Sequence, residues 1–170
     1  MNQPLVFKAP WGTSLKVLTG LSSAILAVII TIGIFLGPHG NLIWITGMIV
    51  IPLSMFFIAS LFTIRGYLLT LDALLIQRLF WNSRVELSGL QSAKVDTEAM
   101  QQSTRIFGNG GLFCFAGKFD NNRLGTYRAF ATDPKNSVVL RFTDRKVVVT
   151  PESPDAFAAE IMKLANRFLV

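Results

Sequence analysis

Residues 17–36 read VLTGLSSAILAVIITIGIFL, and residues 42–64 read LIWITGMIVIPLSMFFIASLFTI. Neither stretch holds a charged side chain. At about 1.5 Å per residue, each is long enough to cross a hydrocarbon core of roughly 30 Å. A buried helix of a soluble protein needs only one apolar face, whereas these runs are apolar all round. The pattern predicts two transmembrane helices, over about 17–37 and 42–64. Between them, Gly37-Pro38-His39-Gly40-Asn41 favours a turn. So short a link makes the helices antiparallel neighbours, a hairpin with both ends on one side.

Charge outside the spans gives the side. The turn has no Lys or Arg, while Lys8 and Lys16 precede the first helix and Arg65, Arg78 and Arg84 follow the second. Basic flanks stay in the cytoplasm, so both termini and everything after the hairpin are expected there. Trp11 and Trp44 lie near opposite ends of the spans, as interfacial aromatic anchors do. A cleaved signal peptide is the competing reading of the first run. That run is longer than an ordinary signal core, and no A-x-A site closes it. Neither span carries an ionisable group, so a proton relay or a path for a charged substrate has no residues to use. Pro52 predicts a kink, with Ser54 able to satisfy the freed carbonyl. Gly33 and Gly37 offer close approach to a partner helix. A simple anchor is the preferred reading.

The rest of the chain is different. Of the 170 residues of the whole chain, 51% are hydrophobic and 15% charged, against about a quarter charged in soluble domains. Lys8 and Lys16 are the only charged side chains before Arg65, and all ten acidic residues follow it. The net charge of +6 leaves a mild basic excess on the second part. That suits a domain facing anionic headgroups, at about 1 kcal/mol per nearby Lys or Arg. It equally suits a solubilising surface. A dense Lys/Arg run is lacking, so nucleic acid is not expected as a partner. One cysteine, Cys114, cannot form an intrachain disulfide. With a single histidine, His39, no Cys–His or His–His metal site can be assembled. No cofactor is expected.

Residues 67–71 and 74–80 are β-prone around an Asp72-Ala73 turn, and residues 84–87 alternate after Trp81-Asn82-Ser83. A further short strand is expected at 93–95. Residues 97–111 read as a polar, glycine-rich loop. Phe113, Phe115 and Phe119 share a parity, which puts the rings on one strand face. Residues 127–131, and then 137–142 with 146–150 around Asp144-Arg145, complete about seven strands. Ser153-Pro154-Asp155 is a helix start, with Ser as N-cap and Pro at the first helical position. Phe157, Ile161, Leu164 and Phe168 form one apolar stripe. The expected architecture is two transmembrane α-helices followed by an all-β barrel or sandwich with a C-terminal helix over about 154–168. The division falls at 1–64 and 65–170.

Several segments sharpen this. Gly110-Gly111-Leu112-Phe113-Cys114-Phe115-Ala116-Gly117-Lys118-Phe119 resembles the glycine and aromatic segment of bacterial pleckstrin-homology-like (PH) domains. Residues 124–133, 138–140 and 151–157 resemble the strands and helix start that follow in that family. Cys114 stands where a glycine is usual. The resemblance covers residue 65 to about 164. It implies a PH-like fold, a non-catalytic role, and a place in the bacterial cytoplasmic membrane, since members are often fused to a two-helix hairpin.

Three motifs bear on chemistry. Gly108-Asn109-Gly110-Gly111 lacks the spacing and the following Lys-Ser or Lys-Thr of a phosphate loop, so a turn is the better account. The three phenylalanines could form a binding ledge, but core is preferred. Lys118, Arg123, Arg128, Lys135, Arg141, Arg145 and Lys146 are the candidate lipid- or partner-binding residues. Several fall at strand ends, where a shared rim would grip phosphates, Arg by its fork. A solvated face accounts for the same residues. Phosphoinositide-binding PH domains gather bases around the first hairpin loop. Here that loop, Leu71-Asp72-Ala73-Leu74, has no base and one acid, which disfavours the usual site. Catalysis is not expected: Asp96 and Glu98 read as an exposed strand end, and the only His is predicted across the membrane. The sequence points to a membrane-anchored binding or scaffold module for a protein partner or copies of itself, with anionic lipid sensing as the alternative.

Overall fold

The computed structural model describes residues 5–38 and 40–166, so His39 and Phe168 lie outside the described residues. Two long apolar helices come first: α1 (Thr13–Phe35) and α2 (Leu42–Leu61). α1 starts before the uncharged run, at Thr13, and its Leu15 is fully buried. Asn41 caps α2, its Oδ1 accepting from the Ile43 and Trp44 amides at 3.0 and 3.3 Å. The turn widens at Thr46–Val50, just before Pro52, where a missing N–H and a bulky ring disturb the helix. The Ser54 hydroxyl donates to the Ile51 carbonyl at 2.9 Å, not to the carbonyl one turn before the proline.

Gly33 and Gly37 are spent inside the hairpin. A methyl at Gly33 would stand 3.1 Å from Met48 Cβ, and one at Gly37 would overlap the Trp44 ring. The Trp44 indole donates to the Gly33 carbonyl at 3.1 Å. The small residues therefore admit the chain's own second helix.

Ten strands are present among the described residues, and they do not close into a barrel. The first sheet runs β1 (Leu5–Lys8), β2 (Gly66–Leu69), β3 (Ala73–Gln77), β4 (Asn82–Glu86), all antiparallel. The second contains β5 (Leu90–Val95), β6 (Thr104–Gly110), β7 (Phe115–Asn121), β8 (Gly125–Ala131), β9 (Val138–Phe142) and β10 (Lys146–Val149). Its spatial order is β5-β9-β10-β8-β7-β6, with only β10 and β8 parallel. Helix α3 (Pro154–Asn166) follows, Phe157 N–H donating to the Ser153 carbonyl.

Two of the ten strands, β6 and β1, fall where no strand is expected from the sequence. β6 lies in the segment expected to be a loop. Its Gly108 is the cross-strand partner of Gly117, and both have positive φ. A methyl on either would come within 2.1–2.3 Å of the opposite backbone carbonyl oxygen. The glycines let two strands approach rather than loosen a turn. β1 precedes the hairpin yet pairs with β2 beyond it, Phe7 opposite Tyr67. Residues 5–12 are stitched further: Glu152 N–H donates to the Lys8 carbonyl at 2.9 Å and Gly12 N–H to the Thr132 carbonyl at 3.1 Å.

Alternation divides the second sheet. One face, with Phe130, Leu140, Val147 and Val149, packs with Tyr67, Leu74 and Ile76 of the first sheet and with Phe157 and Ile161 of α3. The other face, with Phe119, Tyr127, Ala129, Val139 and Val148, is covered by Ala99 and Met100 of the β5–β6 connection. Burying each large side chain contributes about 1.5–3 kcal/mol. Phe115 and Phe119 belong to this second cluster. Phe113 departs from the expected strand face: it precedes β7, has φ +66°, and lies edge-on to Trp11 and Phe56. A left-handed backbone turns its ring toward the hairpin.

Candidate functional site

Both feet of the hairpin are fixed to the domain, and a cleft opens between them and the second sheet. At the first foot, the Phe113 amide donates to Thr19 Oγ1 at 3.1 Å. At the second, the carbonyl of Phe62, just after α2, has two partners. The Cys114 thiol donates to it at 3.3 Å, and so does the guanidinium of Arg78. Arg78 is buried. It also donates to Ser83 Oγ at 3.0 Å and lies against the rings of Phe62, Trp81 and Phe130. Burial lowers its pKa, opposed by the neighbouring Cys114. Burial pushes the Cys114 thiol up to about 11, so it is a neutral donor and a poor nucleophile. Tyr67, pushed up to about 12 by burial, donates to the Phe130 carbonyl at 2.7 Å and accepts from the Thr150 amide at 3.1 Å.

The cleft above this joint measures about 1350 Å³. Ligand pockets are commonly about 300–1,000 Å³, so it exceeds a metabolite site. One wall is apolar: Ile25 and Ile29 of α1, Met55 and Phe56 of α2. The opposite wall is the outer part of β6, β7 and β8 with the β9–β10 turn. Alternation along β7 turns Ala116 and Lys118 into the cleft, and along β8 it turns Thr126, Arg128 and Phe130 there. Lys118 and Arg128 are direct cross-strand partners. Like charges opposite one another oppose pairing.

Arg105, Arg145 and Lys146 join them at the rim, and Asp144 is the one carboxylate among the described lining residues. Asp144 is bonded to Arg145 at 3.3 Å. Arg105 donates to the Gly108 carbonyl at 3.2 Å, Arg128 lies 4.8 Å over the Phe130 ring, and Lys146 donates to the Leu124 carbonyl. Among the described residues, Arg105, Lys118, Arg128 and Lys146 form no ion pair. The arrangement is an apolar wall facing cations unmatched by carboxylates.

Of the seven residues singled out from sequence, Lys118, Arg128, Arg145 and Lys146 line this cleft. Arg123 does not: it is held by Asp96 at 3.1 Å and Glu98 at 2.7 Å. Lys135 lies in the short turn Pro134–Asn136, and Arg141 is exposed on β9, opposite Lys146. Arg78, Arg105 and Phe107 line the cleft but were not singled out. A register shift in β6 separates Arg105, opposite Phe119, from Phe107, opposite Lys118, so the spacing of two carries no signal for the pair. At the first hairpin turn, Arg84 pairs with Asp72 and the Thr70 hydroxyl donates to the same carboxylate. The Thr70 hydrogen bond leads the lowering of the Asp72 pKa. That turn presents a carboxylate already satisfied.

Residues 65–165 match the family model described as bacterial PH domain. No curated protein and no solved structure matches the chain.

Proposed function

The chain belongs to the bacterial PH domain family, and on that premise we propose that it is a non-catalytic binding module anchored in the bacterial cytoplasmic membrane by the α1–α2 hairpin. The pairing of β1 with β2 carries this reading. It ties the strand before the hairpin to the strand after it, so both ends of the hairpin lie on one side of a bilayer whatever the flanking charges. The hairpin crosses twice and the domain sits on the side it left. The spans present apolar side chains outward, with Leu21 59% and Phe57 63% exposed. Leu79, Phe80 and Trp81 form an exposed apolar turn beside the foot of α2, Trp81 lying 5.2 Å from Phe62, which suits the interface. The cleft offers cations and apolar surface, equipment for holding an anionic partner at the membrane.

A second reading is favoured by β6, an edge strand with Ile106 and Phe107 exposed, which offers a partner protein or a second copy a place to add a strand. The test of the anchor uses the full chain in native membranes. It should resist extraction by alkaline carbonate. An Arg141→Cys variant, in a Cys114→Ala background, should label in inside-out vesicles and not in intact spheroplasts. Release by carbonate, or labelling from outside, refutes the anchor or its orientation.

A further inference from the structure

We propose that the cleft between the hairpin and the six-stranded sheet holds one anionic phospholipid of the surrounding leaflet, its phosphate between Lys118 and Arg128 and its acyl chains along Ile25, Ile29 and Met55. This rests on the reading of the hairpin as a bilayer anchor.

Three observations carry it. First, Lys118 and Arg128 face each other across β7 and β8 without a carboxylate on either. An anion between them turns a repulsion into two charge-assisted hydrogen bonds. Arg105, Arg145 and Lys146 surround the same space, and the single acid, Asp144, is already occupied by Arg145. Such a field favours a net-negative headgroup over a zwitterionic one, whose ammonium it repels.

Second, the facing wall is wrong for a soluble phosphate. Ile25 and Met55 are 61% and 65% exposed across the cleft from the cations. A small hydrophilic anion would leave that surface wet, whereas acyl chains cover it. Third, the cleft runs away from the joint at Arg78 and Phe62 along both helices, as far as Ile29 on α1 and Pro52 on α2. A ligand with its polar end on the sheet therefore continues into the space beside the spans, where lipid tails lie. The position is unlike the first hairpin turn, where Asp72 and Arg84 satisfy each other.

Native mass spectrometry of the full chain, released from detergent micelles with equimolar dioleoyl phosphatidylglycerol and dioleoyl phosphatidylcholine, tests the proposal. One phosphatidylglycerol adduct should be retained at least tenfold over phosphatidylcholine. Lys118→Ala with Arg128→Ala should weaken it roughly thirtyfold, each base beside an anionic headgroup accounting for about half of that on a logarithmic scale. Lys135→Ala with Arg141→Ala removes the same charge away from the cleft and should leave the adduct unchanged. Equal retention of the two lipids, equal loss in both double variants, or displacement by glycerol phosphate overturns the proposal, the last in favour of a soluble phosphate. A chain that resists carbonate but shows no lipid preference keeps the anchor and loses only this site. A chain released by carbonate fails earlier, at the anchor.

Discussion

Strand β8 has two faces with opposite fates. Tyr127 and Ala129 point into a closed cluster with Phe119, Val139 and Val148, where the Tyr127 hydroxyl is hydrogen-bonded to Ser103 at 2.7 Å. Thr126 and Arg128, one residue out of phase, point into the open cleft, where Arg128 meets Lys118. The same backbone ladder supports both. On the closed face each group is matched, apolar to apolar and polar to a partner. On the open face Phe130 enters the main core and Thr126 donates to Asp120, but between them Lys118 and Arg128 are set cation against cation. Stability alone accounts for the first face and not for the Lys118–Arg128 pairing on the second.

The contrast breaks most directly by truncation. Tyr127→Ala should cost about 3–5 kcal/mol of unfolding free energy, while Arg128→Ala should change it by no more than about 0.5 kcal/mol. Denaturant titration of the detergent-solubilised chain measures both, and equal losses would mean the open face is structural too. Next comes the strand pairing beneath both faces. Gly117→Ala places a methyl about 2.1 Å from the Phe107 carbonyl oxygen at a positive φ. It should cost about 2–4 kcal/mol by the same measurement. A neutral result would show that β6 is not held against β7.

Alkaline titration probes the buried joint. Cys114 and Tyr67 have folded pKa values raised to about 11 and about 12. A raised value means the unfolded chain releases its proton first, so rising pH favours unfolding. The stabilisation is complete below the unfolded values, about 8.5 for cysteine and about 10 for tyrosine, and is lost as pH climbs through the folded ones, by about 3 kcal/mol per group. Cys114→Ser should remove the earlier part of the decline; an unchanged curve would place the thiol outside the joint. The smallest effect is the most telling about the open face. Lys118→Ala should raise stability by about 0.5 kcal/mol at low salt by relieving the cross-strand repulsion, and the gain should shrink at high salt. A loss would show that Lys118 already has an internal partner.

Much of this was legible in the sequence. Uncharged runs announced the two long helices, and Ser153-Pro154-Asp155 with Phe157 and Ile161 announced α3. Alternation gave most strands. β6 was hidden because its glycines look like loop chemistry, while their partner glycine lies across the sheet. β1 was hidden because four residues carry little periodicity and their partner is beyond the hairpin. The same limit applied to the cleft. The sequence shows where cations are but not which acids are near, so Arg123, held by Asp96 and Glu98, looked the same as Arg128. Arg78 and Arg105 were passed over because strand ends and glycine-rich segments give no sign of what they face.

The β1–β2 pairing also bears on how the molecule is made. β1 leaves the ribosome before the hairpin, and its partner leaves after it. Until both long helices and residues 66–69 have been made, the strand has an unpaired edge and nothing to add to. The Phe7 ring likewise must wait for Phe157, which comes later still. Folding is thus ordered by synthesis: the first sheet cannot be completed until the hairpin and the strand beyond it have been made. A chain halted within the hairpin would keep an open edge at β1 and leave Phe7 without its partner ring, features by which quality-control proteases tell unfinished products from finished ones.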